Sequence, residues 1–196
     1  MRRQLQTAFV VTVALILLLG VAYPLLVTGV SQVLFGKQAN GSLVKAGGQV
    51  VGSRIIGQSF ADGSGTAIPK YFQPRPSAAG KGYDATSSGG SQLGPSNPDL
   101  LKAVADRVAA YRQLNGLAPS APVPVDAVTA SGSGLDPDIS VANAMDQVNR
   151  VASARGIDPA RVRSLVRSHV DPRPWGFLGD DTVNVLDLNL ALDAMR

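Results

Sequence analysis

Residues 5–35 read LQTAFVVTVALILLLGVAYPLLVTGVSQVLF, with no charged side chain between Arg3 and Lys37. A helix needs about 20 apolar residues to cross the hydrocarbon core of a bilayer, and residues 10–29 already meet that length. A cleavable signal peptide has an apolar core of only about 7–15 residues. The run therefore favours an uncleaved signal anchor, with a transmembrane helix over residues 7–35 and a short tail at residues 1–6.

The charges that flank the run predict its orientation. Arg2, Arg3 and the terminal amine precede it, and Lys37 and Lys45 follow it. Short basic flanks are retained in the cytoplasm, and the first tail is very short and basic. We therefore expect residues 1–6 to form a cytoplasmic tail and residues from about 37 onward to lie outside the cytoplasm.

One face of the predicted helix carries residues spaced by four: Thr12, Ile16, Gly20 and Pro24. Gly20 adds little bulk there, and Pro24 removes a backbone hydrogen bond inside the helix. Such a face can pack on other transmembrane helices. It is also an ordinary feature of a single-pass helix, and the spacing alone leaves both interpretations open.

Composition limits the chemistry available to this chain. It has 196 residues, a formal charge of +4, no cysteine and a single histidine, His169. Disulfides, thiolate metal sites and cysteine nucleophiles are excluded, and so is most histidine-based metal or triad chemistry. No cluster of lysines and arginines suggests nucleic-acid binding. About 160 residues follow the apolar run, enough for one domain with a core.

The soluble part begins with a predicted linker at residues 36–48 and continues as one domain over residues 49–196. Gln49–Ile56 is rich in β-branched residues and predicts one or two short strands with a bend at Gly52. Residues 57–94 are rich in Gly, Ser and Pro, which is typical of either a packed functional loop or a disordered one. The aromatic residues Tyr71, Phe72 and Tyr83 favour a packed loop, because each can bury a large apolar area.

Three amphipathic helices are predicted next. The first is capped by Asn97 and ends near Gly116, the second is capped by Ser140 and ends at Gly156, and the third opens at Asp158. Their inward positions are predicted to be Leu101, Val104, Val108 and Tyr111; Val141, Ala144, Met145, Val148 and Val151; and Val162, Leu165 and Val166.

The C-terminal segment allows two interpretations. Val183 and Val185 suit a short strand, after which Asp187 can cap a helix; the alternative is one long strand through Leu192. We favour strand then helix, because Asn and Asp are poor residues in mid-strand. The predicted fold is thus a single N-terminal transmembrane helix followed by one mixed α/β (α+β) extracytoplasmic domain.

The densest polar cluster is ASGSGLDPDIS, residues 130–140. Its small residues let the backbone approach a ligand closely, and the helix that follows offers free amides to an anion. It lacks the Gly-Lys-Ser/Thr ending of a phosphate-binding loop. Ser131 or Ser133 could serve a membrane-anchored extracytoplasmic serine hydrolase, but a base would have to come from the distant His169. A tight loop leading into a capped helix is the simpler interpretation.

Arg75 is one guanidinium in the proline-rich stretch Gln73–Ser77. It could bind the carboxylate or carbonyl of a partner, or be a solvated loop residue. The residues taken alone contain no catalytic constellation, and the chain is interpreted as a membrane-anchored accessory or binding protein.

The chain nevertheless resembles, over nearly its full length, the family of C subunits of the bacterial Kdp potassium-transporting ATPase. The shared motifs follow the family's order: Ile56–Phe60; Tyr71-Phe72; Arg75–Ala78; Ser88–Ser91; Leu93–Pro98; Ser131–Pro137 with Ile139-Ser140; Gln147 with Arg150–Ala152; and Val183–Leu186 with Leu188-Asn189. A match of this many motifs in order is highly specific.

The resemblance implies an accessory subunit, without catalytic residues of its own, in a high-affinity potassium-uptake complex of the bacterial inner membrane. The implied partners are a potassium-channel-like subunit, a P-type ATPase subunit and a small one-helix subunit. The complex uses ATP, Mg and potassium, and no cofactor is expected on this chain itself. The family's C subunit is regarded as stabilising the assembly and as a catalytic chaperone that raises the ATP affinity of the ATPase subunit.

The resemblance also suggests site residues. Ser88, Gly89, Gly90 and Gln92 are weak candidates for nucleotide contact, although an extra Ser91 separates Gln92 from the glycines. A domain outside the cytoplasm cannot touch cytosolic ATP, so we expect any effect on ATP affinity to be indirect. The candidate residues for contact with partner subunits are Gly20, Pro24, Arg75, Ser131, Ser133, Asp136, Asn184 and Asn189.

Overall fold

A computed structural model describes residues 1–195 of the chain. The chain divides into two compact units, one over Met1–Leu43 and one that begins at Val44.

The first unit is mostly one helical rod. It consists of α1 (Arg2–Leu17), a π-helical turn (Leu18–Ala22) and α2 (Tyr23–Leu34), followed by the short α3 (Gly36–Ala39). The most apolar 18 residues of the stretch Arg2–Leu34 have a mean hydropathy of 2.7, and none of them is buried. By length and composition it is a candidate membrane span, a test that a signal sequence would also pass. The predicted single N-terminal apolar helix is confirmed.

The π-helical turn lies next to Pro24. Proline has no backbone N–H, and its ring collides with the carbonyl four residues earlier, here that of Gly20. The helix widens at this point, and the Tyr23 amide donates to Leu18 O, five residues back. Single π turns of this kind are typical bulges inside α-helices. The widened turn lets the helix pass the proline without ending.

The second unit contains two small sheets. β1 (Leu43–Ala46) and β2 (Gln49–Ser53) form the first; β1 begins at the boundary and lies inside the segment predicted as a linker. β3 (Asp138–Ser140), β5 (Thr182–Asn184) and β4 (Val170–Asp171) form the second, in that spatial order and antiparallel throughout. Ile139 pairs with Val183, and Val183 also pairs with Val170.

Four helices complete this unit: α4 (Pro98–Asn115), α5 (Val141–Arg155), α6 (Pro159–Ser168) and α7 (Val185–Ala194). The predicted caps at Asn97 and Ser140 are confirmed, and Asp158, where the third helix was predicted to open, is a cap as well. Each side chain accepts a hydrogen bond from the first turn. Strand followed by helix is confirmed at the C-terminal end. Asp187, however, is not the cap: Asn184 accepts from the Asp187 amide at 3.2 Å. Short one-turn 3₁₀ segments lie at Val125–Ala127 and Pro174–Gly176.

The core lies between α5, α6, α7 and the three-stranded sheet. Its fully buried members include Ile139, Val148, Val166, Leu188 and Leu192. The inward positions predicted for α5 and α6 are buried or half-buried. Leu101 on α4 is 57% exposed, so its predicted inward position is wrong. Only Asn115 of α4 is buried, which places this helix at the margin of the core.

The long segment between β2 and α4 is a packed loop, as its aromatic residues predicted. Phe72 is fully buried, and Phe60 packs on Tyr71 with ring centroids 5.6 Å apart. β2 runs through Gly52 without the predicted bend. A Cβ at Gly52 would collide first with Gln58 Oε1 and then with Leu186 Cδ2, so the glycine permits close packing of these two side chains instead.

Candidate functional site: a loop cluster around Gly134

Two loops meet in the second unit, and most of the predicted site residues lie where they meet. We call them the loop cluster, defined as residues 75–90 and 131–138. The chain reaches it from β2 on one side and leads into β3 and α5 on the other. A backbone bond also joins it to the segment that follows β2, since the Gly57 amide donates to Leu135 O at 2.7 Å.

An ion pair ties the two loops together. Arg75 Nη1 donates to Asp136 Oδ2 at 2.7 Å, with the two side chains only 23% and 29% exposed. The Tyr83 hydroxyl donates to Arg75 O and fixes the backbone at that point. Burial raises the pKa of the Tyr83 phenol, so this hydroxyl stays protonated and remains a donor. Both Arg75 and Asp136 were predicted to contact partner subunits, and here each holds the other.

Gly134 lies where the two loops of the cluster approach each other closely. Its φ of +67° is a left-handed conformation that favours glycine. A Cβ there would lie 2.7 Å from both Ala79 N and Gly89 O. The Ser77 hydroxyl donates to Gly134 O at 2.6 Å and accepts from the Tyr83 amide at 2.8 Å. The glycine of this motif therefore serves loop-to-loop packing.

The glycine–serine stretch predicted as a weak nucleotide candidate packs on the same loop. The Gly89 amide donates to Ser133 O at 2.8 Å, and the Ser88 hydroxyl donates to the same oxygen at 2.9 Å. Gly90 lies against the backbone of Gly132. Gln92 is apart from these contacts, exposed and with a φ of +56°. No nucleotide contact is tested by this geometry, and these four residues remain candidates.

The two serines of the polar cluster stabilise their own loop. Ser131 Oγ accepts from the Gly134 amide at 2.9 Å, and Ser133 Oγ accepts from the Leu135 amide at 3.1 Å. His169 lies at the end of α6, with Nδ1 2.9 Å from Leu165 O. Over residues 1–195 no hydrogen bond links either serine to this histidine. The hydrolase alternative therefore gains no support from the geometry.

Two asparagines predicted as partner contacts are buried. Asn184 donates to Asp138 Oδ1 and to Arg54 O, both at 2.9 Å, which connects it to the loop cluster. Asn189 is 1% exposed and pairs with the backbone of Phe72. Both side chains hold the domain together in this structure, and their role in partner contact stays a prediction.

Sequence reasoning gave no role to a polar network beneath the loop cluster. Gln147 accepts from the Gln73 amide at 2.7 Å and donates to Gln73 O at 3.0 Å. The Tyr111 hydroxyl donates to Asn143 Oδ1 at 2.9 Å, and burial raises the pKa of this phenol. Burial also lowers the pKa of Arg150 to about 10, which leaves it charged at neutral pH. The one available signal was polar residues at inward helical positions.

The remaining candidates, Gly20 and Pro24, lie in the first unit. A shallow groove on this helix is lined by Thr12, Leu15, Ile16, Leu19 and Gly20, so three of the four residues spaced by four share it. Within residues 1–195, no three His, Cys, Asp or Glu side chains converge in a way that could hold a metal ion.

Comparison with known proteins decides the family. The family described as "KdpC: K+-transporting ATPase, c chain" matches residues 5–194. The chain belongs to the KdpC family. Among curated KdpC relatives, each named a potassium-transporting ATPase KdpC subunit, that of Mycobacterium tuberculosis (strain H37Rv) is 55% identical over 195 residues, covering all of both chains. The proteins of Rhodospirillum rubrum and Koribacter versatilis are 54% and 49% identical, with 98% and 100% of this chain and 96% and 97% of theirs covered.

KdpC membership fits what the structure shows of the two units. A KdpC protein is a subunit of a K⁺-transporting ATPase, a membrane complex, and the first unit supplies one candidate span. The loop cluster carries three of the family motifs, Arg75–Ala78, Ser88–Gly90 and Ser131–Pro137, and its hydrogen bonds shape the domain. An accessory role in the ATPase complex is consistent with both observations.

Proposed function

We propose that this chain is the non-catalytic accessory subunit of an ATP-driven, high-affinity potassium-uptake complex. It stabilises the assembly and acts as a catalytic chaperone that raises the ATP affinity of the P-type ATPase subunit. The observation that carries the proposal is the KdpC match over residues 5–194. Its partners are the channel-like subunit, the ATPase subunit and the small one-helix subunit, and the complex uses ATP, Mg and potassium.

The use of the motif residues supports a binding role over a chemical one. In the loop cluster, Arg75 is paired with Asp136, and both Ser131 and Ser133 accept bonds from backbone amides. These bonds within the loops give a stiff surface, although the buried Nε of Arg75 has no hydrogen-bond partner. A stiff surface loses little conformational entropy when a partner binds. The chemistry of ATP hydrolysis belongs in this proposal to the ATPase subunit.

The test compares the complex with and without this chain. The partner subunits are purified from a strain that lacks this subunit and from one that carries it. We expect loss of the chain to lower the yield of intact complex and to raise the ATP KM of the remaining ATPase activity. An intact complex with an unchanged ATP KM would contradict the proposal.

We further propose that the second unit lies outside the cytoplasm and that its effect on ATP affinity is indirect. The short basic tail with Arg2 and Arg3 supports this orientation. Because the chain has no cysteine, a single introduced one reports its own location. Ser91→Cys should react with a membrane-impermeant maleimide in intact spheroplasts, and Gln4→Cys only after permeabilisation. The reverse labelling pattern would overturn the orientation.

Direct nucleotide contact is tested at the exposed Gln92. Gln92→Ala in the assembled complex should leave the ATP KM unchanged, as should the neighbouring Ser91→Ala. A photoreactive ATP analogue should label the ATPase subunit and leave this chain unlabelled. Cross-linking of the analogue to Gln92 would establish direct contact and refute the indirect role.

A further inference from the structure

We propose that the loop over residues 172–181 inserts into the interface of a lipid bilayer and holds the second unit at the membrane surface. We call it the tryptophan loop. Its tip carries Trp175, Phe177 and Leu178, and the ligand is the headgroup and upper acyl region of phospholipids. The inference rests on the membrane anchorage of the chain and is independent of any effect on ATP affinity.

The tip is the most conspicuous apolar surface of the second unit. Trp175 is 83% exposed, Phe177 75% and Leu178 52%. The two rings stack on each other, with centroids 6.3 Å apart. Among the described residues from Val44 onward, these are the two aromatic side chains that are strongly exposed, and they lie two positions apart. Adjacent exposed aromatics on one loop mark an interaction site.

Charge is confined to the base of the loop. Residues 174–179 read PWGFLG and carry no charged side chain. Below them the Arg173 amide donates to Asp181 Oδ1 at 3.0 Å, and the Arg173 guanidinium lies 3.5 Å from the same oxygen. The bond closes the loop and pairs the cation with an anion. A second carboxylate, the exposed Asp180, also lies at this base. An uncharged apolar tip above a charged base matches the order of layers that a side chain meets on entering a bilayer.

The chemistry and the position of the loop favour lipid over a protein partner. Tryptophan concentrates at membrane interfaces, where its ring is buried and its indole N–H stays among polar groups. Only nine residues, 35–43, separate the end of the candidate span at Leu34 from the start of the second unit at Val44. A chain of that length reaches at most about 35 Å. The tether therefore keeps the second unit permanently close to a bilayer surface.

The sequence provides a direct probe, because Trp175 is the only tryptophan of the chain. The full-length chain alone is reconstituted into phosphatidylcholine vesicles, with ordinary or acyl-brominated lipid, and excited at the red edge of indole absorption. If the loop inserts, the emission is blue-shifted and brominated lipid quenches most of it. Equal emission from the two kinds of vesicle overturns the proposal, even if adding the partner subunits then shifts the spectrum, which would assign the loop to a protein surface.

Substitutions distinguish insertion of the tryptophan loop from nonspecific adsorption of the protein to lipid. Phe177→Ser with Leu178→Ser keeps the probe and removes apolar area, so quenching by brominated lipid should be largely lost. Val125→Ser removes an equally exposed apolar residue of the same unit, one that is 73% exposed, and should leave quenching unchanged. Circular dichroism of each variant establishes that the fold is intact. Equal quenching in all three proteins overturns the proposal.

Discussion

Asn189 pairs with Phe72 as one strand pairs with another. Its side-chain Oδ1 accepts from the Phe72 amide at 2.8 Å, and its Nδ2 donates to Phe72 O at 3.0 Å. Gln147 does the same for the backbone of Gln73. Two side-chain amides, from α7 and α5, thus hold a loop segment with no strand beside it. Arg75 follows after Pro74, so these pairs also fix where the loop cluster begins.

Replacing Asn189 by Ala should therefore be costly. The substitution leaves the amide and carbonyl of buried Phe72 without partners, at about 1–3 kcal/mol for each unsatisfied group. We expect the free energy of unfolding of the full chain in detergent to fall by roughly 2–4 kcal/mol in total. Gln92→Ala, on the exposed part of the neighbouring loop, is the control and should change it by less than about 0.5 kcal/mol. An unchanged midpoint in urea would contradict this use of Asn189.

The pair Arg75–Asp136 should show coupling in a double-mutant cycle. Both side chains are mostly buried, so the ion pair is poorly screened by solvent. We expect a coupling energy of about 1–2 kcal/mol from Arg75→Ala, Asp136→Ala and the double variant. The exposed pair Lys102–Asp106 on α4 is the comparison, and its coupling should be much the smaller of the two because solvent screens it. Equal coupling energies in the two cycles would show that burial does not strengthen the Arg75–Asp136 ion pair.

Gly134 and Gly132 offer a matched pair of substitutions in one loop. A methyl group at Gly134 would meet the backbone of Ala79 and Gly89 and would sit at positive φ, whereas at Gly132 it would meet nothing within 4 Å. Gly134→Ala should lower the free energy of unfolding by roughly 3 kcal/mol, from clash and backbone strain together. Gly132→Ala should lie within about 0.5 kcal/mol of the wild type. Similar stabilities for the two variants would contradict the close packing described.

Local signals made much of the fold predictable. Caps such as Asn97 and Ser140, and glycine ends such as Gly156, mark helices because they satisfy backbone groups within a few residues. The C-terminal cap was misplaced because Asn184 and Asp187 are both good capping residues, and strand pairing of Asn184 with Asp138 decides between them. The burial of Leu101 was wrongly predicted. Periodic apolar residues identify one face of a helix, but they do not show whether another element packs against that face.

The candidate site was only partly predictable. Arg75 and Asp136 could each be singled out by charge, but their pairing spans 61 positions, and no local pattern encodes it. Gly52 was taken for a bend, although its role is to admit Leu186, a contact set by tertiary packing. Gln147 and Asn143 are polar residues at inward positions, where the hydrophobic pattern alone would lead one to expect apolar side chains. Only the three-dimensional arrangement shows that they satisfy one another.

The helix face with Gly20 and Pro24 should matter for retention in the complex. Leucine at Gly20 fills the groove that Thr12, Ile16 and Gly20 line, so a neighbouring transmembrane helix could no longer approach closely. Leucine at Pro24 restores the backbone donor that proline lacks and so removes the break in the helix. We expect Gly20→Leu with Pro24→Leu to lose most of this chain from the complex during affinity purification through a partner subunit. Ala22→Leu adds the same kind of bulk on another face of the helix and is the control. If the double variant co-purifies as well as the wild type, the helix serves only as a membrane anchor and this face does not bind a partner.

Asp138 should make the second unit more stable in mild acid. Burial raises the pKa of this carboxyl above its ordinary value of 3.8, against the opposing effect of a hydrogen bond from Asn184. For a raised pKa the stabilisation is fully present below 3.8 and is lost as the pH rises through the folded-state pKa. Asp138→Asn keeps an acceptor for Asn184 and removes this titration. We therefore expect the variant to unfold at a higher temperature than the wild type near neutral pH.

The comparison with acid conditions checks the sign of that effect. The advantage of Asp138→Asn should shrink as the pH falls towards 4. Asp62 is the opposite case: hydrogen bonds from the Ser64 side chain and from the Thr66 and Ser64 amides lower its pKa. Asp62→Asn should therefore be the less stable protein near neutral pH, with a deficit that disappears in acid. Melting curves of the three proteins between about pH 2 and 8 measure both trends, because the Asp62 deficit is lost only as the pH falls below 3.8. Parallel curves over that whole range would show that neither carboxyl titrates with folding.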